Sequence, residues 1–182
     1  MSRAVVFMAD GLEECEGLLV VDILCRAGTE VTMASVNGTG QVFSSHGITI
    51  LTDTTAEEAD YEQADIVILP GGKKGTENLA ASDFVKQKCR EFAAGKKVAA
   101  ICAAPSILAS LGLLDGRKAT VHPGFEDRMN GCELTHTHVA VDGNITTGQA
   151  LGAAIPFALE LARQLEGEKA AEKIAKAICW KM

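Results

Sequence analysis

The 182-residue chain is 47% hydrophobic and 23% charged, a composition that fits one globular domain over 1–182 and excludes a disordered chain. Its net charge of −7 and lack of a long basic run argue against nucleic acid as a partner, and no apolar stretch reaches membrane-spanning length. The six cysteines, at 15, 25, 89, 102, 132 and 179, show neither CxxC spacing nor a small-domain disulfide pattern. With no signal-peptide pattern before Arg3, they read as free thiols in a reducing cytoplasm.

Strand-like and helix-like segments alternate along the chain. Residues 3–9 predict a strand and 14–27 a helix, with Leu18, Leu19, Asp22, Ile23 and Arg26 at helical spacing and Gly28 as its stop. Residues 31–36 are β-branched and strand-like, and Asn37-Gly38 and His46-Gly47 punctuate 37–52 as a small antiparallel ribbon. Asp65–Leu69 predicts a buried strand closed by Pro70-Gly71-Gly72. Ser82 is the expected N-cap of a helix over about 83–94, ended by Gly95. Beyond the apolar run 98–101, short strands are expected at 118–121 and 139–147, and helices at 151–165 and 168–179. Buried parallel strands joined by helices predict a three-layer α/β/α sandwich, flavodoxin-like, with its site at the carboxyl ends of the strands.

The apolar run ends at Cys102, three residues before Pro105 and a helical pattern. That places the sulfur on a strand-to-helix turn, a nucleophile elbow in which the following helix N-terminus favours a thiolate. A cysteine at a strand end also serves as simple core packing. Two other strand ends fall nearby. Ala9–Glu16 brings Glu13 and Glu16 onto one helix face, although acidic residues at a helix start also complement its dipole. Gly71-Gly72 permits the close backbone approach that an oxyanion-binding amide pair requires. His122, in Val121-His122-Pro123, is a fourth candidate. Cys25 and Cys89 lie in helical patterns and read as packing residues, and the charges flanking Cys15 disfavour it as a nucleophile. His136, His138 and Cys132 lack the acidic or thiol pair that would complete a metal site, so no metal is expected.

These stretches resemble the ThiJ/PfpI superfamily, and within it the branch around the parkinsonism-associated DJ protein and bacterial protein deglycases. The resemblance is carried by Ala9–Glu16, Arg26-Ala27-Gly28, Leu69-Pro70-Gly71-Gly72, Ala99–Pro105 and Val121-His122-Pro123, and it runs from about residue 2 to 178. It implies that Cys102 is the reactive elbow cysteine and that Glu16 hydrogen-bonds its sulfur. It also implies that Gly71, Gly72 and Ala103 supply backbone donors and that His122 stands near the thiol. Glu13 and Arg26 match residues at a homodimer interface beside the pocket. With a protonated carboxyl and a helix N-terminus at the sulfur, the thiol pKa is expected to fall well below about 8.5.

The chain departs from the family's pattern at His46, where some relatives carry an arginine, and at Gln149-Ala150-Leu151, where a Gly-Pro-Gly-Thr run is common. A histidine directly after the cysteine marks the protease branch; here Ala103 stands there, against an amidase or peptidase. The resemblance therefore implies a cofactor-independent enzyme of the glyoxalase III or deglycase type, acting on methylglyoxal, glyoxal or their adducts. The alternative is an oxidative-stress sensor or redox chaperone that works through oxidation of Cys102.

Overall fold

The computed structural model describes residues 1–181. In chain order it runs β1 (Arg3–Met8), α1 (Glu14–Ala27), β2 (Glu30–Ser35), β3 (Gln41–Phe43), β4 (Thr49–Leu51), β5 (Thr54–Thr55), β6 (Ile66–Leu69), α2 (Lys73–Ala81), α3 (Asp83–Ala93), β7 (Lys97–Ile101) and α4 (Pro105–Ser110). The second half adds β8 (Lys118–Ala119), β9 (Glu133–Leu134), β10 (Val139–Asp142), β11 (Ile145–Gly148), α5 (Ala154–Glu166) and α6 (Glu168–Ala177). Seven strands form the main sheet in the order β10-β11-β7-β6-β1-β2-β5. All its neighbours are parallel except β10, which runs antiparallel to β11.

The period of two in the strands builds the three layers. Val5, Phe7, Val67, Leu69, Val98 and Ala100 face one side, where Leu79, Val85, Phe92 and Leu108 of α2, α3 and α4 cover them. Ala4, Val6, Met8, Ile66, Ile68, Ala99 and Ile101 face the other, beneath Val20, Ile23 and Leu24 of α1 and Phe157 and Leu161 of α5. Both faces are buried, which is why the central strands read as continuous apolar runs. The carboxyl ends of β1, β6 and β7 are adjacent in this order, so the segments after Met8, Leu69 and Ile101 converge on one edge.

The expected α1, the β3–β4 ribbon and the Ser82 cap are all present, the last with the Ser82 hydroxyl accepting from the Val85 amide at 3.2 Å. Four local readings need correction. Helix α2 was not foreseen, because only Gly75, Thr76 and Leu79 of it are buried and the segment lacks apolar periodicity. It packs through a missing side chain: a Cβ on Gly75 would lie 2.6 Å from the Leu12 Cα. Residues 139–147 form a hairpin rather than one strand, turning at Gly143 with φ 60°. The 118–121 strand is confined to Lys118–Ala119, and residues 151–153 form a 3₁₀ turn ahead of α5. In α1, the apolar spacing splits between two sides. Leu19 and Ile23 pack inward, whereas Leu18 is 37% exposed beside solvent-facing Asp22 and Arg26.

Candidate active site

β7 delivers Cys102 to the sheet edge in a left-handed conformation, φ 66°. That conformation is costly for a residue with a Cβ, and two neighbouring segments of the chain hold it in place. The Cys102 amide donates to the Gly148 carbonyl of β11 at 3.0 Å, and the Cys102 carbonyl accepts from the His122 amide at 2.9 Å. Pro105 then opens α4, where its missing N–H costs no intrahelical bond. The half-buried sulfur accepts from the amides of Gly72 and Ala103.

Glu16, in the first turn of α1, is 1% exposed and hydrogen-bonds to Cys102. Its carboxyl accepts from the Gly71 amide, so Gly71 serves the glutamate rather than the sulfur, a correction to the expected donor set. The two glycines are required by packing. A Cβ on Gly71 would overlap the Glu16 carboxyl and lie 3.0 Å from the sulfur. One on Gly72, at φ 86°, would lie 2.5 Å from the Glu13 nitrogen. The Glu13 amide in turn donates to the Gly71 carbonyl at 3.0 Å, clamping α1 against this loop.

The electrostatics also amend the expectation of a simply depressed thiol. Burial is the largest influence on both groups, and it works against charge on each. It pushes Glu16 up to about 7. With Glu16 ionised, burial first and the carboxylate second push the Cys102 thiol up to about 12, against the Gly72 and Ala103 amides. Between those two steps the pair retains one proton. Geometry favours its place on Glu16: Oε2 is wholly buried with no hydrogen-bond partner to support a charge, while two amides are aimed at the sulfur. A thiolate at Cys102 thus depends on Glu16 remaining neutral.

The other expected residues sit around this pair. The His122 ring is exposed and lies edge-on to Phe125, at 6.2 Å between centroids. Glu13 accepts from the Ser45 hydroxyl at 3.1 Å. Arg26 is at the far end of α1, ~20 Å along the helix axis, and pairs with Asp22 at 2.7 Å, so it does not meet Glu13 within the protomer. Sequence reasoning missed the role of Glu14. It bonds His46 Nδ1 at 2.7 Å and ties the β3–β4 turn to α1; nothing local in either segment reveals a partner so far along the chain. Its own backbone N–H first, then Ser44 and His46, hold Glu14 below the usual carboxylate range. Glu13, Glu14 and His46 bring potential metal-ligand atoms within 4.8 Å of one another, the one such group among the described residues.

All six cysteines are free. Cys25 is exposed, not a packing residue as expected, while Cys89 is buried and pushed up to about 12 by desolvation. Burial first, and then Glu13, Glu14 and Glu16, raise Cys15. Mild peroxide followed by peptide mass analysis is therefore expected to find sulfenate or sulfinate at Cys102 before any other thiol. Oxidation of Cys132 or Cys179 with Cys102 untouched would contradict the elbow's activating role.

The DJ-1/PfpI family model matches residues 2–164, most of the chain. The chain belongs to the DJ-1/PfpI family. Within it, the chain is 35% identical over 178 residues to dj-1beta of Drosophila melanogaster, covering 96% of this chain and 95% of that protein. The crystal structure of that Drosophila protein superposes with a TM-score of 0.96 at 35% identity, each chain covered in full. A protein named deglycase from Pyrococcus abyssi is 34% identical over 152 residues, 82% of this chain and 91% of its own. Oxidised DJ-1 from Toxoplasma gondii superposes with a TM-score of 0.94 at 33% identity over the whole of both chains. The family likeness and the mostly parallel, helix-flanked sheet agree with the expected flavodoxin-like α/β architecture.

Proposed function

We propose that the protein is a cofactor-independent cysteine enzyme that converts reactive dicarbonyls, methylglyoxal and glyoxal or their adducts, to hydroxy acids. The observation that carries this reading is the buried Glu16–Cys102 pair, with one proton between an orphaned carboxyl oxygen and an amide-solvated sulfur. The deglycase name of the P. abyssi relative supports it. With methylglyoxal, the thiolate adds to the aldehyde carbon, and Glu16 protonates the resulting alkoxide to give a hemithioacetal. The Glu16 carboxylate then removes the hydrogen of that carbon, and the enediol is reprotonated at the neighbouring carbon to give a lactoyl thioester. Water cleaves the thioester, releasing lactate and restoring the thiol, so methylglyoxal plus water becomes lactate. The Gly72 and Ala103 amides stabilise negative charge at the sulfur and beside it, the Gly71 amide orients Glu16, and His122 acts as an auxiliary acid or base at the open side. Stereospecific detection of lactate from methylglyoxal, with wild type and Cys102→Ser, is the test. A second reading, a redox sensor in which two equivalents of peroxide take Cys102 to a sulfinate, draws on the oxidised state of the T. gondii relative.

The working form in this reading is a cytoplasmic homodimer. Leu18 of α1 and Phe43, Ile48 and Leu51 of the β3–β4 ribbon are exposed at 37, 49, 49 and 71%, an apolar surface suited to a second copy. Val20 belongs to the protomer's own core at 0% exposure, whereas Leu18 faces outward. A two-fold axis across α1 would let Glu13 of each protomer meet Arg26 of its partner near the pocket. Light scattering is expected to give twice the 19.1 kDa chain mass at micromolar concentration, with Arg26→Glu weakening the dimer more than Lys86→Glu. A 19.1 kDa particle would refute the dimer, and equal effects would exclude α1 from the interface.

A further inference from the structure

A groove of about 640 Å³ lies between α2, α4 and the turn that follows His122. Cys102, Glu16 and Gly72 do not line it, so it is separate from the thiol site. Its volume is in the range of small-molecule sites. Ile107 and alanines of α2 and α4 supply an aliphatic wall, and Phe125 closes one end with the Arg128 guanidinium stacked 4.9 Å from its ring centroid.

Three side chains of this groove lack an ion-pair or hydrogen-bond partner among the described residues. Lys73 and Arg128 form no ion pair among the described residues. Thr76 lines the groove and is 4% exposed, and its Oγ1 has no hydrogen-bond partner. A buried hydroxyl in that condition is destabilising, and a threonine on a helix has two accessible χ1 rotamers through which Oγ1 can reach a ligand. Of the two acids in the lining, Glu77 is matched by Lys74 at 3.5 Å, which leaves Asp127 against two free cations. The surplus is a single positive charge. That balance suits a monoanion with an apolar body better than a phosphate dianion or an organic cation.

We propose that this groove binds a small organic monocarboxylate, its oxygens held by Lys73, Arg128 and Thr76 and its hydrocarbon part lying on Ile107 and Phe125. The site is independent of the reaction proposed for Cys102, because no group of the thiol site takes part.

Hexanoate is the probe, titrated into the isotope-labelled full chain while backbone amide resonances are followed. Saturable shifts are expected in α2 and α4, with a Kd on the order of 1 mM for so small a ligand. Arg128→Gln, Lys73→Gln and the near-isosteric Thr76→Val are each expected to weaken binding about fivefold or more, roughly 1 kcal/mol. Arg90→Gln, which removes a cation elsewhere, and Cys102→Ser should bind as wild type does. The first three substitutions lie at or near the surface or preserve shape, and their amide spectra report directly whether the fold is intact. Hexylammonium should not bind, and inorganic phosphate should not displace hexanoate. Unchanged affinity in Arg128→Gln and Lys73→Gln would overturn the proposal. So would equal binding of hexylammonium, displacement by phosphate, or shifts confined to the Cys102–Gly72 region.

Discussion

Cys102→Ser is expected to lower methylglyoxal turnover at least about 1000-fold, some 4 kcal/mol in barrier height, without unfolding the protein. The replacement keeps a small side chain in the left-handed elbow, so the bonds from the Cys102 amide to Gly148 and from the His122 amide to the Cys102 carbonyl survive. What it removes is the nucleophile. A serine hydroxyl has a far higher pKa than a thiol, and a neutral Glu16 at its side is an acid, not a base that could activate it. Lactate formed by Cys102→Ser within about tenfold of the wild-type rate would place the chemistry elsewhere. No lactate from the wild-type protein would favour the redox reading instead.

Much of this architecture was legible because the physics that sets it is local. Apolar runs such as Val98–Ile101 can be read as strands buried on both faces, and Gly28 announces the end of α1 through a left-handed cap, φ 101°, whose amide donates to Cys25 and Leu24 carbonyls. Helix α2 was illegible for the opposite reason. Its packing depends on what Gly75 lacks, a side chain that would strike Leu12, and a hydrophobic pattern cannot register an absence. The hairpin at Gly143 was hidden because only Asp142-Gly143-Asn144 separates the apolar run Val139-Ala140-Val141 from Ile145, so the stretch reads as one strand.

The site divides along the same line. Cys102, Gly71-Gly72 and Glu16 sit at strand and helix ends, and their residue types alone suggest a thiol, a backbone donor and a carboxyl. Which donor serves which acceptor required three dimensions: the Gly71 amide turns to Glu16, leaving Gly72 and Ala103 for the sulfur. The force opposing ionisation of the thiol was also beyond the sequence. A helix N-terminus was visible there, but burial, the larger influence, was not.

Glu16→Gln is expected to separate thiol reactivity from turnover. The amide is nearly isosteric and can still donate to the sulfur, so alkylation of Cys102 by iodoacetamide at pH 7.5 should stay within about tenfold of wild type. Dicarbonyl turnover should fall about 100-fold or more, because an amide cannot take a proton from one carbon and return it to the next. The pH dependence makes the assignment sharper. In wild type, burial raises Glu16 to about 7, and burial first, then the ionised carboxylate, push the Cys102 thiol up to about 12. Between those values one proton remains, and if it sits on Glu16 the sulfur is already a thiolate. Alkylation should then be nearly flat from pH 8 to 10, roughly midway between the two steps. A rate that climbs close to tenfold per pH unit over that interval would put the proton on Cys102, leaving Glu16 as a charge that suppresses the nucleophile. Turnover retained by Glu16→Gln would remove the carboxyl from the proton-transfer step altogether, since no other acid has an oxygen shown bonded to this sulfur among the described residues.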